Sequence, residues 1–284
     1  MAQSLKHLRN RIRSIENTRK VTNALQMISV VKLSRIVKML LSLRPYYLRL
    51  EEMFYNLLGA PGQIRHPYFE DRPKKGNCLL CVISSDNGLC GLYNHNLLRS
   101  AQDFINKAAD RKVSLVIVGK KAQNHFKKKG LPVLHSYVGL NGTYDGIVCD
   151  EIASILSKLF LSYKVDEVYV AYTHFKSAVV QYPVIEKFLN IAQDVKNQTE
   201  YIIEQEPEYV LDKMAKRYLV AKMRTVFLES ITSEHAARNL AMKTATDNAK
   251  DLLDGLVLTR NKIRQANITQ DLLEIISSAD ALKG

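Results

Sequence analysis

A chain of 284 residues with 46% hydrophobic content is long enough for one large or two small domains and can fill a core. It contains no run of eighteen apolar residues, which excludes a membrane-spanning helix, and its four cysteines are too few for a disulfide framework and fit a reducing compartment. The net charge of +13 is concentrated: residues 1–49 hold eleven Lys and Arg against the one acid Glu16, whereas residues 208–284 hold twelve basic and ten acidic residues.

Residues 1–58 contain one proline, Pro45, and no glycine. Lys6, Arg9, Arg11 and Arg13 interrupt any cleavable signal core. The segment is Arg-rich and acid-poor, as transit peptides are, yet its helical periodicity runs on to residue 58, which marks it as mature protein. Leu5, Leu8, Ile12, Ile15, Leu33, Ile36, Leu40, Leu43, Tyr47, Leu50, Phe54 and Leu57 follow a 3-4 spacing, the pattern of a coiled-coil seam. Four consecutive seam positions are polar: Arg19, Thr22, Gln26 and Ser29. There the apolar residues shift to Val21, Leu25, Met27 and Ile28, so either the helix turns another face inward or it meets a different partner. Pro45 is expected to kink it. At 1.5 Å per residue the helix is about 85 Å long. A basic helix of this kind seeks an acidic partner.

Residues 59–77, with Gly59, Pro61, Gly62, Pro67, Pro73 and Gly76, form a linker. From 78 to about 195 strands and helices alternate: strands at Cys78–Ser84, Val113–Val118, Val133–Val138, Val168–Tyr172 and Val179–Val184, and helices over Leu92–Ala109, Lys120–Lys129 and Val148–Tyr163. This predicts an α/β body, a mostly parallel, helix-covered, Rossmann-like sheet whose last pair adds an antiparallel edge. Cys78 and Cys81, three apart on a strand, point to opposite faces and cannot share a metal.

Residues 196–207 are polar and acidic, and Pro207 sits where a first helical turn accepts it. Residues 208–283 hold no proline and one glycine, Gly255. Ala245, Ala249, Leu252, Leu256, Ile263, Ala266, Leu273 and Ile276 keep one face apolar over about 110 Å. Helices this long need a partner along them, and each is the other's, as a long antiparallel coiled coil. The domains are therefore 1–58 (N-terminal helix), 59–77 (linker), 78–207 (globular α/β domain) and 208–284 (C-terminal helix).

Catalytic signatures are thin. Ser84-Ser-Asp-Asn-Gly-Leu-Cys-Gly91 lies between a strand and a helix, where a phosphate loop would sit, but it has neither G-x-G-x-x-G nor a Walker pattern; a structural turn is the preferred reading. Gly119-Lys-Lys121 lacks the rest of a Walker loop. The seven histidines show no zinc spacing, and neither Asp86/Asp103 nor Asp150/Glu151 forms a recognisable acid–base dyad. Residues 1–45 carry no aromatic to stack on bases, which argues against nucleic acid.

Leu8-Arg-Asn-Arg-Ile-Arg-Ser-Ile-Glu-Asn-Thr-Arg-Lys-Val-Thr-Asn-Ala24 resembles the start of the γ subunit of F-type ATP synthases. His66-Pro-Tyr-Phe-Glu-Asp-Arg72 and Ser84–Gly91 resemble its middle. Ser233-Glu-His-Ala-Ala-Arg-Asn-Leu-Ala-Met-Lys-Thr-Ala-Thr-Asp-Asn-Ala249 and Arg264-Gln-Ala-Asn-Ile-Thr-Gln-Asp-Leu-Leu-Glu-Ile275 resemble its end. The resemblance implies a rotor shaft without catalytic, cofactor or metal sites, standing in the ring of α and β subunits and seated against the ε subunit and the membrane c ring. It transfers ring contacts to Lys20, Leu25, Arg238, Gln265 and Thr269. Contacts on the c-ring and ε side transfer to Tyr201 and Glu204. Many members carry methionine where this chain has Leu25. The absence of an evident cysteine-bearing insert and of a separable transit extension implies a bacterial protein, peripheral on the cytoplasmic face of the inner membrane. The rivals are an enzyme with Asp86–Gly91 as its ligand loop and a basic nucleic-acid scaffold with steep salt dependence.

Overall fold

The computed structural model describes residues 2–58, 66–70, 72, 76–108, 110–191 and 207–281. Helix α1 (Ala2–Leu58) is followed by a 3-10 turn at Pro67–Phe69. Then come β1 (Asn77–Ile83), α2 (Tyr93–Lys107), β2 (Lys112–Val118), α3 (Lys120–Lys127), β3 (Val133–Tyr137), α4 (Gly146–Leu161), β4 (Glu167–Phe175), β5 (Gln181–Leu189) and α5 (Pro207–Ala281). The strands form one sheet in the order β3-β2-β1-β4-β5, parallel except for the β4–β5 hairpin. The expected fold is the observed one.

β1 is buried on both faces because helices cover both. Cys78, Leu80 and Val82 pack with Leu97 and Ala101 of α2 and with Ala122 and Phe126 of α3. Leu79, Cys81 and Ile83 pack on the other side with α4, α1 and α5. Cys78 and Cys81 therefore lie in opposite core layers, as strand geometry requires, and burial pushes the Cys81 thiol up to about 12.

Some boundaries differ from the sequence reading for local reasons. α4 begins at Gly146, two residues early, because the Asp145 carboxylate caps it, accepting from the N–H groups of Ile147 and Val148. Val179 and Val180 belong to the hairpin turn, where Ser177 Oγ accepts from both their N–H groups, so β5 starts at Gln181 and runs on to Leu189. Pro183 is tolerated because β5 is an edge strand.

The chain divides into two compact units, and the division falls inside both long helices. In the larger unit, Ser29–Arg238, the two helices run antiparallel: Arg44 pairs with Glu229 at 2.8 Å, while further along α1 Phe54 stacks on Tyr218. In the smaller unit, Met1–Ile28 with Asn239–Gly284, the Thr246 hydroxyl donates to that of Thr22 at 2.8 Å.

The seam of α1 keeps its phase throughout. Every seam position from Leu8 to Leu57 is buried or half-buried, the polar ones included: Thr22 is 9% exposed and Ser29 only 1%. The alternative in which the helix turns another face inward is thus overturned. Hydrogen bonds compensate the buried hydroxyls, Thr22 also donating to the Arg19 carbonyl. The inward row of α5 follows the expected one only in part: Ala249 is buried and Ala245, Leu256 and Ile263 are half-buried, whereas Leu252, Ala266, Leu273 and Ile276 are exposed and Met242 and Leu253 are buried instead.

Candidate functional site

The loop after β1 was the one candidate ligand loop, and its polar groups are spent on the fold. Three successive N–H groups at the start of α3, those of Lys120, Lys121 and Ala122, donate to Asp86 Oδ1 (2.9 Å), the Ser85 carbonyl (3.1 Å) and Ser84 Oγ (3.0 Å). A phosphate would need those donors. A Cβ at Gly119 would collide with Ser84, so that glycine serves close packing between two loops. The second Asp86 oxygen accepts from the N–H of Asn141 at 2.8 Å. The loop after β1 thus staples the loops that follow β2 and β3.

α5 grips the same loops with three residues spaced along one face. Glu234 and Arg238, four apart, pair at 2.7 Å in the interior. Arg238 also donates to the carbonyls of Gly88 (3.2 Å) and Asn87 (3.4 Å). His235 Nε2 lies 2.8 Å from the Gly142 carbonyl, and Arg238 lies 3.3 Å from His235 Nδ1. That pattern fits a neutral ring with its proton on Nε2, and burial pushes its pKa down to about 4. Burial raises the pKa of Glu234 while Arg238 opposes the rise. Lys32 of α1 donates to the Asn141 carbonyl at 3.1 Å. In sequence Arg238 reads as a surface contact; in the structure it is 8% exposed and committed internally. The i,i+4 spacing of Glu234 and Arg238 was the one signal of this role.

Among the described residues the long helices leave apolar side chains exposed on their outward faces. Because the seam stays polar at Thr22 and Ser29, the apolar residues beside it face out: Val21, Met27, Ile28, Val30 and Val31, the last 70% exposed. Lys20 is exposed and Leu25 half-buried on this stretch. Beyond Asn267 every α5 residue through Ser278 is exposed, including Ile268, Leu272, Leu273, Ile275 and Ile276. Gln265 and Thr269 are exposed there, the Thr269 hydroxyl returning to the Gln265 carbonyl. Tyr201 and Glu204 lie outside the described residues. Among the described residues no helix is long and apolar enough to cross a membrane, and no group of three His, Cys, Asp or Glu is placed to hold a metal.

A sheet domain whose loops are stapled to two long helices, with apolar and basic residues facing outward, is built as a structural part of a larger assembly. A family model described as ATP synthase matches residues 4–282. The ATP synthase gamma chain of Moorella thermoacetica is 36% identical over 282 residues, covering 98% of this chain and 99% of that one. That of Chlorobium phaeobacteroides strain BS1 is 35% identical over 292 residues, covering 99% of each. Among solved structures, a chain of the Euglena gracilis mitochondrial ATP synthase OSCP/F1/c-ring assembly superposes with a TM-score of 0.71 at 18% identity, over 99% of this chain and 95% of that one. One from the Tetrahymena thermophila central stalk and c-ring gives 0.62 at 24%, over 79% and 99%; at these identities the likeness is of fold.

The chain belongs to the ATP synthase γ-chain family. The γ chain is a non-catalytic component of that enzyme.

Proposed function

We propose that the chain is the rotor shaft of an F-type ATP synthase. Ion flow turns the membrane c ring, the c ring turns this subunit, and its asymmetric helices drive the catalytic β subunits in turn through open, loose and tight states. Its partners are the α and β subunits, the ε subunit and the c ring, and it sits peripherally on the cytoplasmic face of a bacterial inner membrane. The observation that carries this reading is the outward apolar face at Val21, Met27, Ile28, Val30 and Val31, which the seam leaves uncovered.

Lys20 and Leu25 extend that face toward acidic loops of the β subunits, an electrostatic contact that re-forms at each step. Gln265 and Thr269 meet the ring from the exposed end of α5. Arg238 acts on the ring side through the Asn87–Gly88 backbone it holds. Tyr201 and Glu204 face the c ring and ε.

Reconstitution with a purified α/β ring, read by native mass spectrometry and ATP turnover, tests the reading. One copy per hexamer, with turnover raised and then lost when the chain is cut before Gln265, is expected. Failure to bind the ring would overturn it. The enzyme reading fares worse, because the Asp86–Gly91 loop and the α3 N-terminus already satisfy each other.

A further inference from the structure

The sheet domain has a charged end with no assigned role. Strands β1 to β4 are parallel and begin there, and α2, α3 and α4 return to it and finish there. Backbone bonds from Lys112 N to the Gly76 carbonyl and from Asp166 N to the Asn77 carbonyl close this end. It carries Lys107, Lys112, Lys127, Lys128, Lys129 and Lys164, all exposed. None of them is ion-paired with a described residue. Of the acids nearby, Glu167 is already held by Arg111 (2.5 Å) and Lys187 (3.0 Å), and Asp166 accepts from Asn77 N–H; among the described residues Glu70, Asp103 and Asp110 are exposed, and Glu70 is engaged by the Tyr163 phenol. Helix C-termini attract cations, which accounts for about one lysine per helix. It does not account for three in succession at the end of α3, nor for Lys112, which opens a strand.

The same end presents Tyr163, 62% exposed, beside the exposed Leu161. The Arg72 guanidinium lies 4.0 Å from the Tyr163 ring centroid, and the phenol reaches Glu70 at 3.2 Å. An outward tyrosine and leucine at an end that carries six exposed lysines is the chemistry of a membrane–water interface.

We propose that this end of the sheet domain binds anionic phospholipid headgroups. Exposed lysines without an ion pair, of which Lys129 only donates to the Gln102 amide oxygen at 2.9 Å, suit a diffuse layer of phosphates, whereas a specific acidic protein surface favours the planar fork of arginine; of the arginines here, Arg111 is held by Glu167 and Arg72 is stacked on Phe160 and Tyr163. The first turns of α5 lie at this end too, through His66 with Asp212 at 3.5 Å and Arg72 with the Phe160 carbonyl. In the rotor reading that is the end turned toward the membrane, and only this orientation rests on that reading.

The chain has no tryptophan, so Tyr163→Trp makes a unique reporter in the full-length protein. With vesicles of phosphatidylcholine and phosphatidylglycerol, Y163W emission should shift to the blue and be quenched by brominated phosphatidylglycerol. Leu89→Trp, at the opposite end of the sheet, should do neither. The triple change K127Q/K128Q/K129Q in the Y163W background should weaken vesicle binding at this site on the order of 100-fold. Equal quenching at both positions, no quenching at either, or quenching unchanged in the triple variant would overturn the proposal. So would an emission shift that appears only when c ring is added in pure phosphatidylcholine, because the partner would then be an acidic protein surface. The assay needs no α/β ring, so failure of the rotor reading, seen as lost ring binding, is a separate result.

Discussion

Phe54 of α1 and Tyr218 of α5 lie face to face, their ring centroids 4.7 Å apart and their planes 8° from parallel, both almost fully buried. Tyr47 stacks on the same tyrosine, and its hydroxyl shares Glu51 with that of Tyr218. This aromatic column joins the two long helices where they lie against the sheet. Phe54→Ala should cost about 3–5 kcal/mol in denaturant unfolding. A loss under about 1 kcal/mol would mean the column is not a principal contact.

The neutral His235 makes the fold acid-sensitive. Its folded pKa is pushed down to about 4, below the ordinary imidazole value. The unfolded state therefore binds more protons between about pH 6.5 and 4, and stability is full above that window and lost through it, by roughly 3 kcal/mol. Glu234 has the opposite sign, since its raised pKa makes the folded state take up the proton first. In an E234Q background the acid loss should remain, and in H235Q it should shrink. Urea midpoints measured across this pH range check both.

The hydroxyl pair Thr22–Thr246 should carry a coupling of about 1 kcal/mol in a double-mutant cycle to alanine. A coupling near zero would mean that each hydroxyl is satisfied by its own helix, through the Arg19 and Met242 carbonyls.

Ile28→Asp and Val31→Asp touch an exposed face and should change the unfolding free energy by about 0.5 kcal/mol or less. The same changes should abolish activation of ATP turnover in the reconstituted ring. Normal activation would remove the outward face of α1 from the function.

Lys20→Gln should slow association with the ring and flatten its salt dependence while leaving stability unchanged, because Lys20 is exposed. Stopped-flow association at several ionic strengths measures this.

Much of the architecture was legible because its signals are periodic. Apolar residues at 3-4 spacing give the two helices, and β-branched runs between turn residues give the strands. The cysteine reading held for the same reason, strand alternation being strict. What escaped was pairing at a distance. Thr22 and Ser29 look out of place in an apolar seam until Thr246 is set opposite Thr22. Arg238 looks like a surface contact until Asn87 and Gly88 arrive beneath it from 150 residues away. The start of α4 moved because a single carboxylate, Asp145, caps it. These are long-range or single-bond effects that leave no period in the sequence.

The central claim is that this chain turns inside a ring. The most direct measurement fixes an α/β ring to a surface, attaches a bead to the sheet domain at the exposed Gly130, and watches it with ATP present. The account predicts sustained rotation in one direction with threefold pauses, lost when α5 is cut before Gln265. A bead that stays fixed or diffuses without direction while the ring hydrolyses ATP would contradict it.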